Sequence, residues 1–222
     1  MRWLLLSLMV FVFELSLVSQ TPIDTEVKPG DKTPNFSDVS GSPYLFKDWS
    51  DGLVKFSSGR TLKQFKLKFD CVQNQLILQF EGSSFAAESK VKEFIMIPKN
   101  GKKSDSLYFR KGFPPVGKAT NETFYQILAE GKATLLHLVS KNIIEEKQYG
   151  ATNVYRHFEN EERFFVFLNN EMIQVDRDRM SLTNILLDKG AEIKQFINDQ
   201  DLRMRSPEDL TLVVKKYNAL VQ

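Results

Sequence analysis

Near the end of the chain, four consecutive apolar residues restrict the fold more than any other feature. Residues 164–167 read Phe-Phe-Val-Phe, and a second apolar segment, Glu171–Val175, follows the dipeptide of Asn169 and Asn170. Successive side chains of a strand point to opposite faces, so this run is typical of a strand that is covered on both sides. Asn tolerates positive φ and suits a tight primed turn. The sequence therefore predicts a hairpin of 163–168 with Glu171–Val175, and the C-terminal helices as the layer on its outer face.

Alternation between apolar and polar residues predicts further strands along the chain. In one of the resulting hairpins, a loop at 72–75 would place Cys71 opposite Leu76 and Phe69 opposite Leu78. The 18 Phe residues, many of them in such alternation, favour a sheet-built core. The predicted strands are 52–56, 62–71, 75–80, 91–97, 106–110, 123–129, 133–141 and 153–158. With the last hairpin they give a mainly antiparallel sheet of about eight to ten strands, either curved or a partly open barrel.

Two or three helices are predicted at about residues 180–222, after the last strand. Ser181 can cap a short helix that runs through Leu187, and Gly190 would stop it. Residues 191–199 have helical periodicity and predict a second helix. A mainly antiparallel sheet with C-terminal helices packed on it is an α+β fold.

The last helix is the best specified of the three. Ser206 suits the N-cap, Pro207 suits the first helical position, and Asp209 stands where a capping box has Glu or Gln. An apolar stripe follows at helical spacing, and such a stripe is more typical of core packing than of a partner site. The stripe consists of Leu210, Val213, Val214, Tyr217 and Leu220.

The first 20 residues have the layout of a cleavable export signal. Arg2 forms a short positive region, residues 3–13 are apolar apart from one Ser, and polar sequence begins near Ser19. The alternative is a membrane anchor, which needs roughly 20 apolar residues, but Glu14 interrupts this run. We therefore predict a signal peptide at 1–20.

The remaining chain is predicted to form one domain behind a short leader. Residues 21–40 are rich in Pro, Asp, Lys and Ser and have no period, which is typical of a flexible segment. About 200 residues are enough for one domain with its own core. We thus predict a single β-rich domain at 41–222. It would be exported to the periplasm or to the extracellular side of the cell envelope, with no stable membrane anchor after signal cleavage.

The charge and the cysteine count narrow the possible partners. Proteins that bind nucleic acid usually have a clustered basic face and a more basic domain than a formal net charge of +2 indicates. No nucleic-acid partner is therefore predicted. The only Cys, Cys71, excludes an intramolecular disulfide. It continues the odd-numbered series Phe65, Leu67 and Phe69, which predicts a buried, inert thiol. A reactive or intermolecularly paired cysteine is the alternative.

No motif for catalysis or metal binding stands out in the sequence. His137 and His157 lie in β-like segments, and neither has a second His or Cys at metal-ligand spacing. There is no Gly-x-Ser-x-Gly segment, and adjacent acids such as Glu145 and Glu146 would point to opposite faces of a strand. We assign no catalytic, cofactor-binding or metal-binding residue, and no cofactor.

Several short motifs occur together across most of the chain. They are Gly41-Ser-Pro-Tyr-Leu45 before Trp49 and Gly52, Lys66-Leu-Lys-Phe-Asp70, Phe124-Tyr-Gln-Ile-Leu128 before Gly131 and Leu136, Tyr149 and Gly150, and an ending from Asp209 to Leu220. In these motifs the chain resembles a group of exported proteins from Bacteroidota. That family has no assigned activity or catalytic residues. The resemblance therefore implies an exported compartment and a single domain, and no mechanism.

Three hypotheses about function follow from these observations. The first is a non-enzymatic structural or interaction protein of the cell envelope, whose partner would be another envelope protein. The second is a carrier, because a curved sheet with helices can enclose an apolar cavity for a lipid or another hydrophobic small molecule. The third is an enzyme whose site is assembled from residues distant in sequence.

Overall fold

The computed structural model describes residues 36–87, 90–99, 101–102, 105–147 and 154–222. The predicted signal peptide at 1–20 and most of the predicted leader at 21–40 lie outside these ranges. The last five residues of the leader are described, and they pack against the sheet. The ring of Phe36, for example, lies edge-on to that of Phe158 with centroids 5.4 Å apart.

Eleven strands and three α-helices make up the described chain. The strands are β1 (Asp51–Phe56), β2 (Thr61–Leu62), β3 (Lys66–Asp70), β4 (Gln75–Phe80), β5 (Ser83–Ala86), β6 (Val91–Ile97), β7 (Leu107–Arg110), β8 (Tyr125–Ala129), β9 (Thr134–Lys147), β10 (Val154–Leu168) and β11 (Glu171–Val175). The helices are α1 (Arg179–Ile185), α2 (Gly190–Asp199) and α3 (Pro207–Leu220), with a 3-10 turn at Leu187–Lys189. An eight-stranded sheet has the order β11-β10-β9-β8-β7-β6-β1-β2, and a three-stranded sheet has the order β3-β4-β5. All pairs are antiparallel and the large sheet is open, so the predicted α+β fold is confirmed.

Two separate layers cover one face of the eight-stranded sheet, which we call the inner face. A row of cross-strand neighbours defines it: Val54, Phe94, Phe109, Gln126, His137, Phe164 and Val175. The small sheet packs on this face over β1, β6 and β7, in a core where Phe94 stacks on Phe109 with centroids 4.8 Å apart. The helices pack on the same face around Phe164 and Val166. The inner face thus passes from a sheet-covered half to a helix-covered half.

The opposite face, which we call the outer face, is covered over β8–β10 by a loop at residues 112–119. Phe113 of this loop lies edge-on to Tyr125, which in turn lies edge-on to Phe165, with centroids 5.7 and 5.6 Å apart. The apolar run 164–167 is therefore covered on both sides, as predicted, with the helices forming one of the two layers.

The strand that contains this run is longer than the sequence predicts. Residues 153–158 and 163–168 appear as two strands in the sequence, but the structure has one strand, β10, from Val154 to Leu168. The intervening polar residues 159–162, three Glu and one Asn, continue the ladder with β9. They are tolerated because this part of the ladder is largely exposed. The predicted hairpin with β11 is confirmed, and its turn residues Asn169 and Asn170 have φ of 51° and 68°.

The predicted strand 62–71 is wrong, because the chain forms two strands in different sheets there. Thr61 and Leu62 pair with β1 in the large sheet, whereas Lys66–Asp70 is β3 of the small sheet. Between them the chain crosses from one layer to the other, and Phe65 is buried in the core that both layers share. The alternation of Phe65, Leu67 and Phe69 does not extend back to Leu62, because two polar residues, Lys63 and Gln64, lie at the crossover.

The register of the β3–β4 hairpin is offset by two residues from the prediction. Phe69 pairs with Leu76, not with Leu78, and Cys71 lies in the turn. The turn starts early because the Asp70 carboxylate accepts hydrogen bonds from the backbone N–H groups two and three residues later, at 2.8 and 3.0 Å. An offset of two keeps every strand residue on its predicted face. Cys71 is accordingly buried, as predicted.

The first helix begins earlier than the sequence predicts. Asp178, not Ser181, is the N-cap, and its carboxylate accepts hydrogen bonds from the backbone N–H groups of Met180 and Ser181 at 2.7 and 2.8 Å. The hydroxyl of Ser181 instead accepts a hydrogen bond from the backbone N–H of Asp176. Gly190 is not a stop. It has an ordinary helical φ of −57° and is the first residue of α2.

The last helix begins as predicted. The hydroxyl of Ser206 accepts a hydrogen bond from the backbone N–H of Asp209 at 3.1 Å. The Asp209 carboxylate bonds to the N–H of Met204 at 2.9 Å, not to that of Ser206 as a capping box would. The predicted stripe is part of the core. Leu220 lies at the edge of that core, and the other four members are buried: Leu210, Val213, Val214 and Tyr217.

A buried side-chain amide ties α3 to the sheet. The Oδ1 atom of Asn218 accepts a hydrogen bond from the backbone N–H of Ala133, and its Nδ2 atom donates one to the Ala133 carbonyl, both at 2.8 Å. The amide therefore satisfies both backbone groups of one residue next to β9. Gly131 makes room for it, since a Cβ there would lie 2.5 Å from the Asn218 amide.

Candidate functional site

Part of the β9–β10 hairpin extends beyond both of its neighbours in the sheet. β8 reaches β9 only as far as His137, and β11 reaches β10 only as far as Phe164. Beyond them the ladder continues from the pair Leu138 and Arg163 to the pair Lys147 and Val154. At about 3.4 Å per residue this extension is roughly 30 Å long. We call residues 138–147 and 154–163 the arm.

The inner face of the arm is covered by the segment that precedes β1. The backbone N–H of Ser40 donates to the carbonyl of Arg156 at 2.8 Å, and the Arg156 guanidinium pairs with Asp38. The ammonium of Lys141 donates to the carbonyls of Ser42 and Tyr44, both at 2.8 Å. These bonds attach residues 38–44 to the arm.

The outer face of the arm carries an exposed aromatic residue. Tyr155 is 56% exposed and stacks on His157 with centroids 5.5 Å apart. Ile144 is the cross-strand neighbour of His157 and is half-buried. The alternation of the ladder also places Glu146, Glu159 and Glu161 on this face, with Arg163 at its base pairing with Glu161 at 3.5 Å. This part of the arm therefore combines exposed aromatic and aliphatic groups with negative charge.

Two grooves share Asn74 in their lining, and the smaller of them adjoins the base of the arm. The larger, of about 360 Å³, lies between residues 73–76 and 120–124 and contains an ion pair of Lys111 with Glu122 at 2.6 Å. The smaller, of about 280 Å³, lies between the turn 71–74 and the strand residues Leu138, Ser140 and Arg163. The amide of Asn74 fixes this turn, because it bonds to both the backbone N–H and the carbonyl of Phe124 at 2.7 and 3.0 Å.

The structure does not bring the two histidines together. His137 lies on the inner face where the two layers meet, and its ring stacks on Phe164 with centroids 4.5 Å apart. Its Nδ1 atom lies 3.2 Å from Oε1 of Gln126, and its Nε2 atom lies 3.5 Å from a carboxylate oxygen of Glu162. Burial lowers the pKa of His137, although the Glu162 carboxylate opposes this shift. His157 lies on the outer face, so no histidine pair is formed.

Cys71 and the acidic residues give no reactive centre in the described part of the chain. Burial raises the pKa of the Cys71 thiol to about 12, and the positive charge of Lys141 only partly opposes it. A thiol with such a pKa is almost entirely protonated at neutral pH and is a poor nucleophile. Among the described residues, no three His, Cys, Asp or Glu side chains are placed to hold a metal ion.

Comparisons of the chain with protein-family models, with curated proteins and with solved structures gave no match. The resemblance to exported Bacteroidota proteins therefore stays a prediction that rests on its motifs. Within residues 36–222, as far as they are described, no helix is both long and apolar enough to cross a membrane.

Proposed function

We propose that this chain is an exported, non-enzymatic interaction protein that binds a partner protein through its arm. The observation that carries the proposal is the arm itself, a ladder of roughly 30 Å whose outer face exposes Tyr155. Its tip also exposes Val154, at 49%. Exposed aromatic side chains on a rigid strand are typical anchors of protein interfaces. The export half of the proposal rests on the apolar segment after Arg2.

The backbone of the arm supports the same proposal. The N–H of Lys141 points away from β10, since it donates to the carbonyl of Cys71 at 3.0 Å. Backbone direction alternates along a strand, so the backbone groups of Ile143, Glu145 and Lys147 point to that same edge. Beyond Lys141, no described strand pairs with this edge. An open edge of this kind can accept a strand from a partner.

The charges of the outer face indicate the chemistry of the partner. Glu146 and Glu159 lie on the same face as Ile144 and Tyr155 and have no ion-pair partner among the described residues, whereas Glu161 pairs with Arg163 at 3.5 Å. Complementary charge increases both the rate and the specificity of association. The partner segment should therefore be extended, with apolar residues next to Lys or Arg.

A carrier of hydrophobic ligands has less support. Large aliphatic and aromatic side chains fill the two inner-face cores and the core under the loop 112–119. The two grooves beside Asn74 are open and are lined mainly by polar side chains. Neither groove offers the mostly apolar, enclosing surface that a lipid requires.

A photo-cross-linking amino acid at position 146, introduced in the organism that produces the protein, tests the partner. We expect one discrete adduct, and mass spectrometry should find Lys or Arg beside apolar residues in the cross-linked peptide. Tyr155→Ser should lower its yield about tenfold, because the exposed ring is the expected anchor. Leu212→Ser is the matched control, since Leu212 is also exposed but lies on α3. Equal losses in both variants, or no discrete adduct, would contradict the proposal.

N-terminal sequencing of the protein recovered from the cell envelope tests export separately. We expect the mature chain to begin within a few residues of Ser19, where apolar sequence gives way to polar sequence. An intact Met1 on envelope-bound protein would instead support the membrane-anchor alternative.

A further inference from the structure

We infer that the smaller groove, at the base of the arm, is a binding pocket for a small organic carboxylate. The pocket exists because β8 stops pairing at His137, so the sheet lacks a strand beside residues 138–140 of β9. The turn 71–74 occupies the gap, held there by the Lys141 to Cys71 backbone bond and by the Asn74 amide.

The charged side chains of the pocket are all positive. Lys118 and Arg163 line it, and neither Asp nor Glu does. Lys118 is exposed and has no ion-pair partner among the described residues. The pocket therefore favours an anion.

The Arg163 guanidinium is only loosely paired. Its Nε atom forms an ion pair with a carboxylate oxygen of Glu161 at 3.5 Å, but this atom is buried and makes no hydrogen bond. A buried N–H group without a partner is unfavourable, so an acceptor that reaches it would be bound preferentially. The planar guanidinium matches the geometry of a carboxylate, which can accept two parallel hydrogen bonds from it.

The remaining walls set the size and polarity of the ligand. Cys71, Ala119 and Leu138 are buried apolar residues of the lining, while Thr123 and Ser140 supply hydroxyls. The volume of about 280 Å³ lies at the lower end of small-molecule sites. Together these features fit a carboxylate attached to a small body that contacts both apolar and polar side chains.

Titration of the purified, isotope-labelled protein with benzoate tests the inference, with the signal of the Arg163 Nε–H group followed by NMR. Benzamide is the matched probe, because it has the same shape without the charge. We expect saturable binding of benzoate with a shift of the Arg163 signal, and binding of benzamide at least about tenfold weaker. Arg163→Gln should remove benzoate binding. Lys118→Ala, which alters only an exposed side chain, should weaken it about threefold.

Lys63→Ala serves as the charge control, since Lys63 is exposed and lies beside β2 at the opposite edge of the large sheet. It should leave the affinity for benzoate unchanged. Three results would each overturn the inference: equal affinity for benzoate and benzamide, unchanged benzoate affinity in Lys118→Ala, or no saturation by either probe up to about 50 mM. The Lys118 variant keeps the test decisive even if Arg163→Gln fails to fold.

Discussion

Val214→Asp should lower the melting temperature by about 10 °C or more, the largest effect expected from any single substitution in α3. Val214 is 0% exposed and packs between the helical layer and the sheet. The new carboxylate would have no partner there and would lose its hydration, which costs about 4 kcal/mol. Thermal denaturation followed by circular dichroism measures the change.

Leu212→Asp is the control for this experiment. Leu212 lies on the same helix, two residues earlier, but it is 48% exposed. Its replacement should change the free energy of unfolding by no more than about 0.5 kcal/mol. If both variants melted at the temperature of the original protein, α3 would not be packed against the sheet in solution.

Gly52→Ala should be the second most damaging substitution, although it adds only a methyl group. A Cβ on Gly52 would lie 2.1 Å from the carbonyl oxygen of Ile95 and 2.4 Å from Cδ1 of Leu67. The first contact is with the backbone of β6, which cannot move without breaking the ladder, and the second is with the small sheet. Separating the layers to admit the methyl group should cost about 3 kcal/mol. Urea denaturation measures the loss.

Gly190→Ala is the matched control for the added methyl group. Gly190 has a helical φ of −57°, and its new Cβ would lie 3.5 Å from the carbonyl oxygen of Thr183, an ordinary contact. Because Ala favours a helix over Gly, stability should be unchanged or raised by up to about 1 kcal/mol. A Gly52→Ala protein as stable as Gly190→Ala would mean that the two sheets are less tightly packed than the structure shows.

Local patterns in the sequence were enough to predict most strands, the turn at Asn169 and Asn170, and the start of α3 at Ser206. These features depend on side chains close in sequence. The crossover near Phe65 was missed although Lys63 and Gln64 interrupt the alternation there, because alternation records burial and not the layer in which a strand lies. Residues 159–162 were missed for the opposite reason, since polar residues give no apolar alternation where a strand is exposed on both faces.

The candidate sites were less accessible to sequence reasoning than the fold. The arm is visible only once residues 138–147 and 154–163 are known to pair over their full length. The pocket at Arg163 combines a turn near Asn74 with Lys118 and with two strands, and no spacing within the sequence links them. The one part of the pocket that the sequence predicted is the turn, expected at 72–75. In the structure Asn74 of this turn has a positive φ of 53°.

The two side-chain amides also bear on how the chain reaches this structure. Asn74 and Phe124 are 50 residues apart, and Asn218 and Ala133 are 85 residues apart. Closing loops of this length costs conformational entropy before any contact is gained, whereas the β10–β11 hairpin needs only a two-residue turn. The hairpins can therefore assemble from local contacts, and each amide bonds only after its layer has arrived. We therefore expect the hydrogen bonds of these two amides to form after the folding transition state. Their loss should speed unfolding and change the folding rate little.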